Sequence, residues 1–446
     1  MQLLSSLEKL AEIFPERLYL VGGAVRDHIR GVPTEDFDLA SAAEPKAVKD
    51  ALAGSGFKVC DSSPKLGTLI ISGGGVRFEH TTFRTDSYPE GSGVHKPDQV
   101  IFTTDIEKDC RRRDFCCNAI YYDVKDKRLV DPLGGIADVE HGILRTTRAA
   151  KEVFCEDGLR IMRLIRFVST LGFAPDYEAA QAAKELVGRL ADVSKERIRD
   201  ELDKTLAGGN LCNAMELALD TGVLGEILPE LAENESVLQP KQFHAYDALR
   251  HAFHTAAAAR ADIKLAALLH DVGKAEAIKK DGNMHRHAEY GAITAKEITK
   301  RLKYPNAVIT ETEILVREHM YDINANARES KLRKFVARNY AVIDKLIALV
   351  RADSAGTGVF DDCPRADRFE ATLDKMKKEG VPFTLKQLKV NGDDIKSLGL
   401  KGESIGRVLG ELLDGCVEGR LGNSREELLA AAKRSLKNGA GTGGTK

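Results

Sequence analysis

The sequence has no apolar run long enough to cross a bilayer, and its first residues do not follow the pattern of a secretory signal peptide. Its eight cysteines form no CxxC pair, and the adjacent Cys116 and Cys117 do not fit an ordinary disulfide framework. These absences exclude a membrane-spanning protein and a disulfide-rich secreted domain. They predict a cytoplasmic protein with reduced thiols and no contact with a membrane.

The sequence also lacks an excess of positive charge. The 66 lysines and arginines are balanced by 68 aspartates and glutamates, so the formal net charge is −2. Any nucleic acid would therefore be bound by local basic patches, because the global charge does not attract a polyanion. A chain of 446 residues that is 43% hydrophobic and 30% charged has the composition of a globular protein of roughly two to four domains.

The segment from Leu18 to Leu39 combines a short apolar strand, a glycine turn and the start of a helix. A strand followed by Gly22, Gly23 and a helix places several backbone N–H groups around one point, where they can bind phosphate. Arg26 adds a planar cation one turn into the helix. The segment therefore indicates a phosphate-binding loop.

Two carboxylates, Asp36 and Asp38, follow this loop. If residues 36–39 form a strand, both side chains point to the same face. The next alternating segment is also a predicted strand, and it adds Glu79 as a candidate third carboxylate. Neighbouring carboxylates repel each other unless a cation lies between them, and beside a phosphate loop we expect Mg²⁺ carried by a nucleoside triphosphate.

Two further charged motifs follow along the chain. Arg111-Arg-Arg-Asp precedes a predicted buried strand, although such a run is often only a solvated surface. In the predicted helix from Glu156, Arg160, Arg163 and Arg166 recur every three residues and form a charged stripe with Asp157. The alternative interpretation of this stripe is an exposed helix with internal salt bridges.

A separate group of histidines and aspartates lies between about residues 240 and 360. A lone histidine on an apolar helix is usually structural, but an adjacent His-Asp pair with further histidines on other helices indicates a metal site. Imidazole and carboxylate ligands together suit Mn, Fe, Ni or Zn better than Ca²⁺. The candidate ligands are His251, His270, Asp271, His287, His319 and Asp353, with His254 and His285 ranked lower.

Five motifs in this order resemble those of the bacterial tRNA nucleotidyltransferase family, the CCA-adding class shared with bacterial poly(A) polymerases. The resemblance covers nearly the whole chain. The block from His251 to Asp353 is similar to an HD metal-phosphohydrolase domain, and the end of the chain resembles the tRNA-holding tail of such enzymes. The five motifs are Gly22-Gly-Ala-Val-Arg-Asp with Asp36-Phe-Asp, Arg112-Arg-Asp-Phe with Asn118-Ala, Asp131-Pro-Leu-Gly-Gly, Glu156-Asp-Gly-Leu-Arg, and Glu196-Arg-Ile-Arg-Asp-Glu-Leu.

The resemblance implies an α+β head, a nucleotidyltransferase palm with a mixed sheet and helices. An all-α neck, body and tail would follow, including an HD-type helical domain. The expected parts are a catalytic head over residues 1–147, a nucleotide-selecting neck over 148–238, an HD-type metal-binding domain over 239–360, and a tRNA-binding tail with a disordered C-terminus over 361–446. The last eight residues, from Gly439 onward, have the composition of such a disordered end.

The resemblance also implies that the protein adds C, C and A to the 3′ end of tRNA from CTP and ATP, releasing pyrophosphate. Asp36 and Asp38 would hold two Mg²⁺ ions, and Glu79 would complete the first metal site or accept the proton. The nucleotide would be held by the remaining residues of the first two motifs. These are Gly23 and Arg26 for the triphosphate, and Arg113 and Asp114 for the ribose and phosphate.

Base choice would depend on Asp157 and Arg160. C and A both present an amino donor beside a ring-nitrogen acceptor, whereas G and U present a carbonyl beside an N–H. Asp157 only accepts hydrogen bonds and Arg160 only donates them, so the pair fits C and A. Arg163 and Arg166 would orient Asp157 or contact the triphosphate.

Two departures from the family pattern are present. The loop from Tyr88 to Asp98 has His95-Lys-Pro-Asp where the family usually has a basic pair, and Cys116-Cys117 replaces residues that are usually small, polar or aliphatic. Neither departure removes a charge that the chemistry needs. Because the loop is present, the full CCA product is favoured over CC alone.

The HD-type block implies a second activity, the hydrolysis of phosphomonoesters or 2′,3′-cyclic phosphates with a transition metal. The rival interpretation of the whole chain is a poly(A) polymerase. A rival of a different class is a non-catalytic RNA-binding module, or an HD phosphohydrolase with an inactive head.

Overall fold

The computed structural model describes residues 5–34, 36–88, 98–360 and 362–440. The chain divides into two compact units, one of residues 1–232 with 301–304 and the other of residues 233–300 with 305–446. The predicted division into four parts stays a prediction. Most of the predicted loop between Tyr88 and Asp98 lies outside the described residues. Within these ranges, no helix combines the length and apolar character needed to cross a membrane.

The first unit contains a seven-stranded mixed sheet. The unit has eleven described strands, of which seven form this sheet. They are β1 (Tyr19–Val21), β2 (Asp38–Ser41), β3 (Lys58–Ser63), β4 (Thr68–Gly73), β5 (Val76–Thr82), β6 (Arg84–Ser87), β7 (Gln99–Phe102), β8 (Tyr121–Asp123), β9 (Arg128–Val130), β10 (Ile143–Leu144) and β11 (Ala174–Pro175). The sheet has the order β3-β4-β5-β2-β1-β8-β9. The pair β2–β5 is parallel, whereas β1 runs antiparallel to both of its neighbours. β6 and β7 form a separate antiparallel ribbon.

Twelve helices complete the described part of the first unit. They are α1 (Ser5–Ile13), α2 (Gly23–Ile29), α3 (Pro45–Leu52), α4 (Ile106–Arg111), α5 (Gly135–His141), α6 (Ala150–Glu156), α7 (Leu159–Leu171), α8 (Tyr177–Glu185), α9 (Lys195–Ala207), α10 (Leu211–Asp220), α11 (Val223–Ile227) and α12 (Pro229–Ala232).

Helix α7 is the helix on which the candidate site of this unit depends. Most of its residues are buried, and it packs against α9 and α10. Helices α7 and α9 approach closely because the residues at their contact, Ser169 and Gly208, are small. Ser169 Oγ donates to the carbonyl of Thr205 at 2.6 Å, and a Cβ on Gly208 would lie only 2.2 Å from Ser169 Oγ. A larger residue at Gly208 would push the two helices apart.

Apolar packing fixes the central strands that present the candidate site. Tyr121 on β8 is fully buried, and its ring meets the rings of Phe83 and Tyr19 edge-on, with centroids 5.9 and 6.1 Å apart. Val21 and Ala40 belong to the same buried cluster. The middle of the sheet is therefore a rigid platform for the side chains at its edge.

The second unit is helical throughout its described residues. Its helices are α13 (Ala248–Ala258), α14 (Lys264–Leu269), α15 (Lys274–Asp281), α16 (His287–Arg301), α17 (Asn306–Glu318), α18 (Glu329–Arg338), α19 (Ile343–Gly356), α20 (Pro364–Lys378), α21 (Gly392–Lys396), α22 (Glu403–Val417) and α23 (Arg425–Ala440). α13 and α19 pack closely, because a Cβ on Gly356 would lie 2.2 Å from Thr255 Oγ1. The last three helices share an apolar cluster of their own.

The predicted fold class is confirmed, since a mixed-sheet head is followed by a body that is helical apart from the two-residue strand β11. The C-terminal end differs from its prediction within the described residues. Helix α23 continues to Ala440 and so includes two residues of the stretch from Gly439 that we expected to be disordered. Residues 441–446 lie outside the described ranges.

Candidate active site and candidate metal centre

Three carboxylates meet at one edge of the sheet in the first unit. Asp38 is the first residue of β2, and Glu79 is its register partner on the parallel strand β5. Asp36 lies two residues before β2, so the strand predicted over residues 36–39 begins later than expected. Burial, together with the charges of Asp36 and Glu79, raises the pKa of Asp38 to about 6. The structure therefore brings together the three carboxylates named from the sequence.

This cluster fits a hard divalent cation. Its donors are carboxylate oxygens, the ligands that Mg²⁺ prefers. Burial and the neighbouring carboxylates raise the pKa of Asp38, so its ionised form is unfavourable, and a cation between the carboxylates would stabilise that form. Asp36, Asp38 and Glu79 are thus the residues that would hold such an ion.

Gly22 forms the backbone turn beside the cluster. Its φ of 77° lies in the left-handed region that favours glycine, and a Cβ there would lie 3.4 Å from Oδ2 of Asp38. Helix α2 begins at the next residue, Gly23, so its first N–H groups lie close to the carboxylates. This geometry agrees with the phosphate-binding loop expected from the sequence.

Arg26 is buried and already has protein partners. Its Nε and Nη2 each donate to the carboxylate of Asp27 at 2.9 Å, and Nη1 donates to Oδ1 of Asn118 at 2.6 Å. In this arrangement the guanidinium ties α2 to the segment that precedes β8. The expected contact between Arg26 and a triphosphate stays a prediction, and it requires Arg26 to exchange at least one of these partners.

The Arg111–Asp114 segment is not a solvated surface run, because other parts of the unit hold its backbone. Thr147 Oγ1 donates to the carbonyl oxygens of Arg111 and Arg113 at 3.1 and 2.6 Å. Arg160 Nη2, on α7, donates to the carbonyl of Arg112 at 2.7 Å. The segment is therefore fixed relative to α7.

Asp114 is buried, and both of its oxygens accept hydrogen bonds. Oδ1 accepts from the backbone N–H of Phe115 at 2.8 Å, and Oδ2 accepts from Nε of Arg163 at 2.6 Å. Burial alone would raise the pKa of Asp114, but the Arg163 charge and the Phe115 amide lower it to about 2. Asp114 is thus an ionised acceptor, as contact with a ribose hydroxyl would require.

The single helix predicted from Glu156 is wrong. Helix α6 ends at Glu156 and α7 begins at Leu159, so Asp157 lies in the break and not in a helical stripe. Asp157 has an extended backbone, and its Oδ1 accepts from the backbone N–H of Leu159 at 3.0 Å, so its side chain caps α7. Gly158 beside it packs closely, since a Cβ there would lie 2.8 Å from the carbonyl oxygen of Arg189. The break turns Asp157 out of the helical register.

Asp157 and Arg160 both make ionic contacts in the structure. Oδ2 of Asp157 accepts from Nη2 of Arg197, on α9, at 2.7 Å. Arg160 is buried, and its Nη1 donates to Oε2 of Glu156 at 2.8 Å while its Nη2 binds the carbonyl of Arg112. A base could reach this pair only if some of these contacts were exchanged.

The two remaining arginines of the expected stripe have other partners. Arg163 pairs with Asp114, and Nε of Arg166 lies 3.1 Å from Oε2 of Glu201 on α9. The residue that orients Asp157 is Arg197, which we did not single out from the sequence. The available signal was its position in the motif that begins at Glu196.

In the second unit the six candidate metal ligands surround one centre. Two sets of three have ligand atoms within 4.8 Å of one another, and the sets share His270. His251 Nε2 lies 3.1 Å from Oδ1 of Asp353, which belongs to a different helix. The six residues are His251, His270, Asp271, His287, His319 and Asp353, and the imidazoles and the Asp271 carboxylate are buried.

Asp271 faces histidines with both of its oxygens. Oδ2 lies 3.1 Å from Nε2 of His270, whereas Oδ1 lies 3.1 Å from Nε2 of His287 and 3.5 Å from Nε2 of His319. Nε2 of His251 also lies 3.6 Å from Oδ2, so the carboxylate stands between two pairs of potential nitrogen ligands. It can serve one cation or connect two.

Backbone carbonyls fix the orientation of three imidazoles by binding the ring nitrogen that faces away from the centre. Nδ1 of His270, His287 and His319 lies 2.8, 2.6 and 2.7 Å from the backbone carbonyl three residues earlier. A carbonyl only accepts, so each Nδ1 carries a hydrogen and each neutral ring presents the lone pair of Nε2 to the centre. Nε2 of His287 and His319 are 3.4 Å apart, a distance at which two lone pairs need a proton or a cation between them.

The charges around the centre also favour a metal. Burial opposes protonation of His270, but Asp271 and Asp353 outweigh it and raise the pKa of His270 to about 10. The two carboxylates thus favour a positive charge on His270, at the position where a bound metal ion would supply one. The mixture of imidazole nitrogen and carboxylate oxygen fits a transition metal.

Three more residues at this centre were missed in the sequence analysis. Lys274 Nζ lies 2.5 Å from Oδ2 of Asp271, and Arg365 Nη2 lies 3.3 Å from Oδ2 of Asp353. The ring of His244 lies edge-on to that of His251, with centroids 4.7 Å apart. Lys274 could have been found from its place three residues after Asp271, whereas nothing in the sequence pointed to the other two.

Three family models match the chain. They are the Poly A polymerase head domain over residues 18–145, the probable RNA- and SrmB-binding site of polymerase A over residues 172–235, and the HD domain over residues 241–350.

Similar proteins and structures carry related names. The chain is 31% identical over 443 residues to the A-adding tRNA nucleotidyltransferase of Deinococcus radiodurans, covering 93% of this chain and 94% of that protein. It is 39% identical over 221 residues to the CCA-adding enzyme of Geobacillus kaustophilus, covering only 50% of this chain and 53% of that protein. The crystal structure of the Bacillus stearothermophilus CCA-adding enzyme in complex with CTP has a TM-score of 0.71 at 25% identity, over 98% of this chain and 97% of that one.

The carboxylate cluster makes a prediction about metal-free stability. Because the folded protein raises the pKa of Asp38 from 3.8 to about 6, ionising Asp38 costs more in the folded than in the unfolded chain. Between about pH 4 and about pH 6, the wild type should therefore lose about 2 kcal/mol relative to Asp38→Asn, which does not titrate. Urea denaturation of both proteins with a chelator present, at the two ends of this range, measures the difference.

Mg²⁺ provides the control for this prediction. At neutral pH it should stabilise the wild type more than Asp38→Asn, because the cation offsets the repulsion. The same pH dependence in both proteins would contradict the clustering of the three carboxylates.

Proposed function

The chain belongs to the tRNA nucleotidyltransferase family, and we propose that it adds C, C and A to the 3′ end of tRNA from CTP and ATP. The observation that supports this most is the position of Asp38 and Glu79 on adjacent strands, next to a glycine turn and to the held Arg111–Asp114 segment. None of the eight cysteines, all of which lie in the described ranges, forms a disulfide, in agreement with the cytoplasm as the proposed location. The poly(A) polymerase alternative has less support, because the relatives that match over most of this chain are named as an A-adding tRNA nucleotidyltransferase and a CCA-adding enzyme.

The reaction would be the attack of the RNA 3′-hydroxyl oxygen on the α-phosphorus, with cleavage of the bond to the pyrophosphate leaving group. Mg²⁺, when bound, supplies charge neutralisation of the triphosphate and activation of the hydroxyl. Asp36 and Asp38 would hold it, and Glu79 would complete the site or take the proton of the hydroxyl. Phosphoryl transfer needs little covalent help, so the remaining residues act mainly by positioning.

Nucleotide binding would use groups on both sides of the carboxylates. The N–H of Gly23 and the Arg26 guanidinium would bind the triphosphate. Arg113 would contact phosphate, and Asp114 would accept a hydrogen bond from a ribose hydroxyl, a role that its low pKa supports. These roles agree with the fixed backbone of the segment between the two residues.

Base choice would use Asp157 as the acceptor of the amino group and Arg160 as the donor to the ring nitrogen. G and U would meet Asp157 with a carbonyl and Arg160 with an N–H, leaving buried groups unpaired at a cost of about 1–3 kcal/mol each. In the structure Arg197 donates a hydrogen bond to Asp157, and Arg160 donates one to Glu156. A bound base would replace part of these contacts. This exchange does not by itself set the order C, C, A.

A-only addition is a second candidate, because a relative that matches over 93% of this chain is named an A-adding tRNA nucleotidyltransferase. The CCA-adding relatives of Geobacillus match over about half of this chain. Two RNA substrates separate the candidates, one tRNA that lacks CCA and one that ends in CC, each with CTP and ATP singly and together. CCA addition extends the first by three nucleotides, A-only addition extends just the second by one, and long A-tracts on either would identify a poly(A) polymerase.

For the second unit we propose a metal-dependent phosphohydrolase, a phosphatase or 2′,3′-cyclic phosphodiesterase acting on RNA ends. Its ligands would be the six residues around Asp271, and the candidate metals are Ni, Mn, Fe and Zn. Support comes from the fixed imidazole orientations and from the cations Lys274 and Arg365, which can face a phosphate. A bound metal supplies an activated water in such sites.

Replacing both metal carboxylates should abolish nucleotide addition. We expect Asp36→Ala with Asp38→Ala to incorporate no CMP or AMP, while its affinity for tRNA stays within about twofold, because the tRNA is held elsewhere. The readouts are incorporation of labelled nucleotide and a filter-binding titration. The matched control is Asp61→Ala, an exposed carboxylate on β3. Incorporation retained by the double variant would contradict the metal assignment.

Removal of the Arg160 side chain should relax base choice. Arg160→Ala loses the donor that rejects G and U, so discrimination against GTP and UTP, measured as a ratio of kcat/KM values, should fall by at least about tenfold. Arg128→Ala changes an exposed arginine of β9 and serves as the control. A variant that is slower but equally selective would show that Arg160 does not read the base.

His270→Ala should remove the second activity alone. We expect hydrolysis of a 2′,3′-cyclic phosphate, stimulated by Ni²⁺ or Mn²⁺ in the wild type, to fall at least about a hundredfold, since the buried centre loses a shared ligand. Nucleotide addition should be unchanged. The control is His141→Ala, an exposed histidine of α5. A wild type without hydrolysis in the presence of any of the four metals would refute the activity.

A further inference from the structure

Asp109, in the last turn of α4, is a completely buried carboxylate outside the motifs considered so far. Oδ1 accepts from Nε of Arg112 at 2.7 Å and from the backbone N–H of Arg84 at 3.2 Å. Oδ2 accepts from Nη2 of Arg113 at 3.2 Å and from the hydroxyl of Tyr121. One buried carboxylate thus collects four donors from three elements.

A network of this kind is poorly explained by stability alone. Moving a carboxylate and two guanidinium groups out of water is expensive, and apolar side chains of similar volume would often be as stable or more so. What the network does provide is direction. Donors that share one carboxylate and one phenol have few orientations available to them.

The side chain that is oriented most completely is Arg113. Its Nη2 binds Asp109, its Nε donates to Tyr121 Oη at 3.0 Å, and its guanidinium carbon lies 5.3 Å from the centre of the Tyr121 ring. The described hydrogen bonds leave Nη1 unused. Burial raises the pKa of Asp38 and the charge of Arg113 opposes this rise, so the guanidinium lies within electrostatic range of the carboxylate cluster.

Tyr121 connects this network to the rigid part of the sheet. It is buried on β8, packed edge-on against Tyr19 and Phe83, and its hydroxyl is both a donor to Asp109 and an acceptor from Arg113. Asp109 and Tyr121 therefore form the two supports of one guanidinium. Loss of either support would leave Arg113 with a single attachment.

We propose that Asp109 is a positioning residue for nucleotidyl transfer. It holds Arg113, together with Tyr121, in the orientation in which Nη1 faces the phosphates of the nucleotide bound at Asp36 and Asp38. The proposal rests on the nucleotidyltransferase function proposed above. Asp109 itself touches no substrate, and its effect is transmitted only through Arg113.

The test is Asp109→Asn, which keeps the shape of the side chain and removes its charge. The amide turns an NH₂ group toward the arginines, so Arg113 loses its attachment. We expect KM for CTP and for ATP to rise about tenfold, while KM for tRNA stays unchanged. A merely structural role would lower the amount of active protein, seen as a lower kcat with both KM values unchanged.

Two further variants keep the test decisive if Asp109→Asn folds poorly. Tyr121→Phe removes one hydroxyl from a packed ring and should raise the nucleotide KM about threefold in the same direction. Asp105→Asn changes an exposed carboxylate that caps the same helix, and should leave both KM values unchanged.

The dependence on Arg113 is tested by a double-mutant cycle. In an Arg113→Ala background, neither Asp109→Asn nor Tyr121→Phe should raise the nucleotide KM further, because the group through which they act is absent. Additive effects, or equal changes in KM for tRNA and nucleotide, would overturn the proposal. A wild type that incorporates no nucleotide would instead refute the proposed function, so the two failures are distinguishable.

Discussion

The candidate active site depends on carboxylates that are paired with guanidinium groups. Asp109 and Asp114 are buried, and the partners Arg163 and Arg197 come from distant parts of the chain. Asp109 pairs with Arg112 and Arg113, Asp114 with Arg163, and Asp157 with Arg197. A buried charge that loses its partner is left without compensation, so each pair restricts where its neighbour can lie. Together these pairs fix helix α7, helix α9 and the Arg111–Asp114 segment relative to the sheet edge that carries Asp38. The phosphate side and the base side of the site are therefore held in one frame.

Much of this frame could be predicted from the sequence. The glycine turn, the alternation around Glu79 and the spacing of Asp36 and Asp38 placed three carboxylates at one edge, and the structure has them there. Contacts between residues far apart in the chain could not be predicted from the sequence. The extended backbone of Asp157 and the close approach of Gly158 to Arg189 leave no trace in local periodicity. Arg197 was overlooked because its partner Asp157 lies forty residues away, and Asp109 because its contacts with Arg84 and Tyr121 form only in the folded unit.

The second unit shows the same limit. The His-Asp pair and the histidines on separate helices indicated a metal centre, and the structure groups five of the six residues, with His287 3.1 Å from Asp271. Their orientation depends on backbone carbonyls three residues earlier, a relation that any helical histidine could have and that the sequence does not distinguish. Arg365 reaches the centre from α20, outside the matched HD segment, and His244 lies before its first helix. Local motifs thus indicated the candidate ligands, whereas the groups around them could be found only from the fold.

The most direct measurement for the central claim is a crystal structure of the protein with CTP and Mg²⁺. The account predicts a cation bound between Asp36 and Asp38, the phosphates near Nη1 of Arg113, and the cytosine amino group and ring nitrogen at Asp157 and Arg160. It predicts as well that Arg113 keeps its contacts with Asp109 and Tyr121. A nucleotide bound away from the carboxylates, or a base edge that meets neither Asp157 nor Arg160, would contradict it.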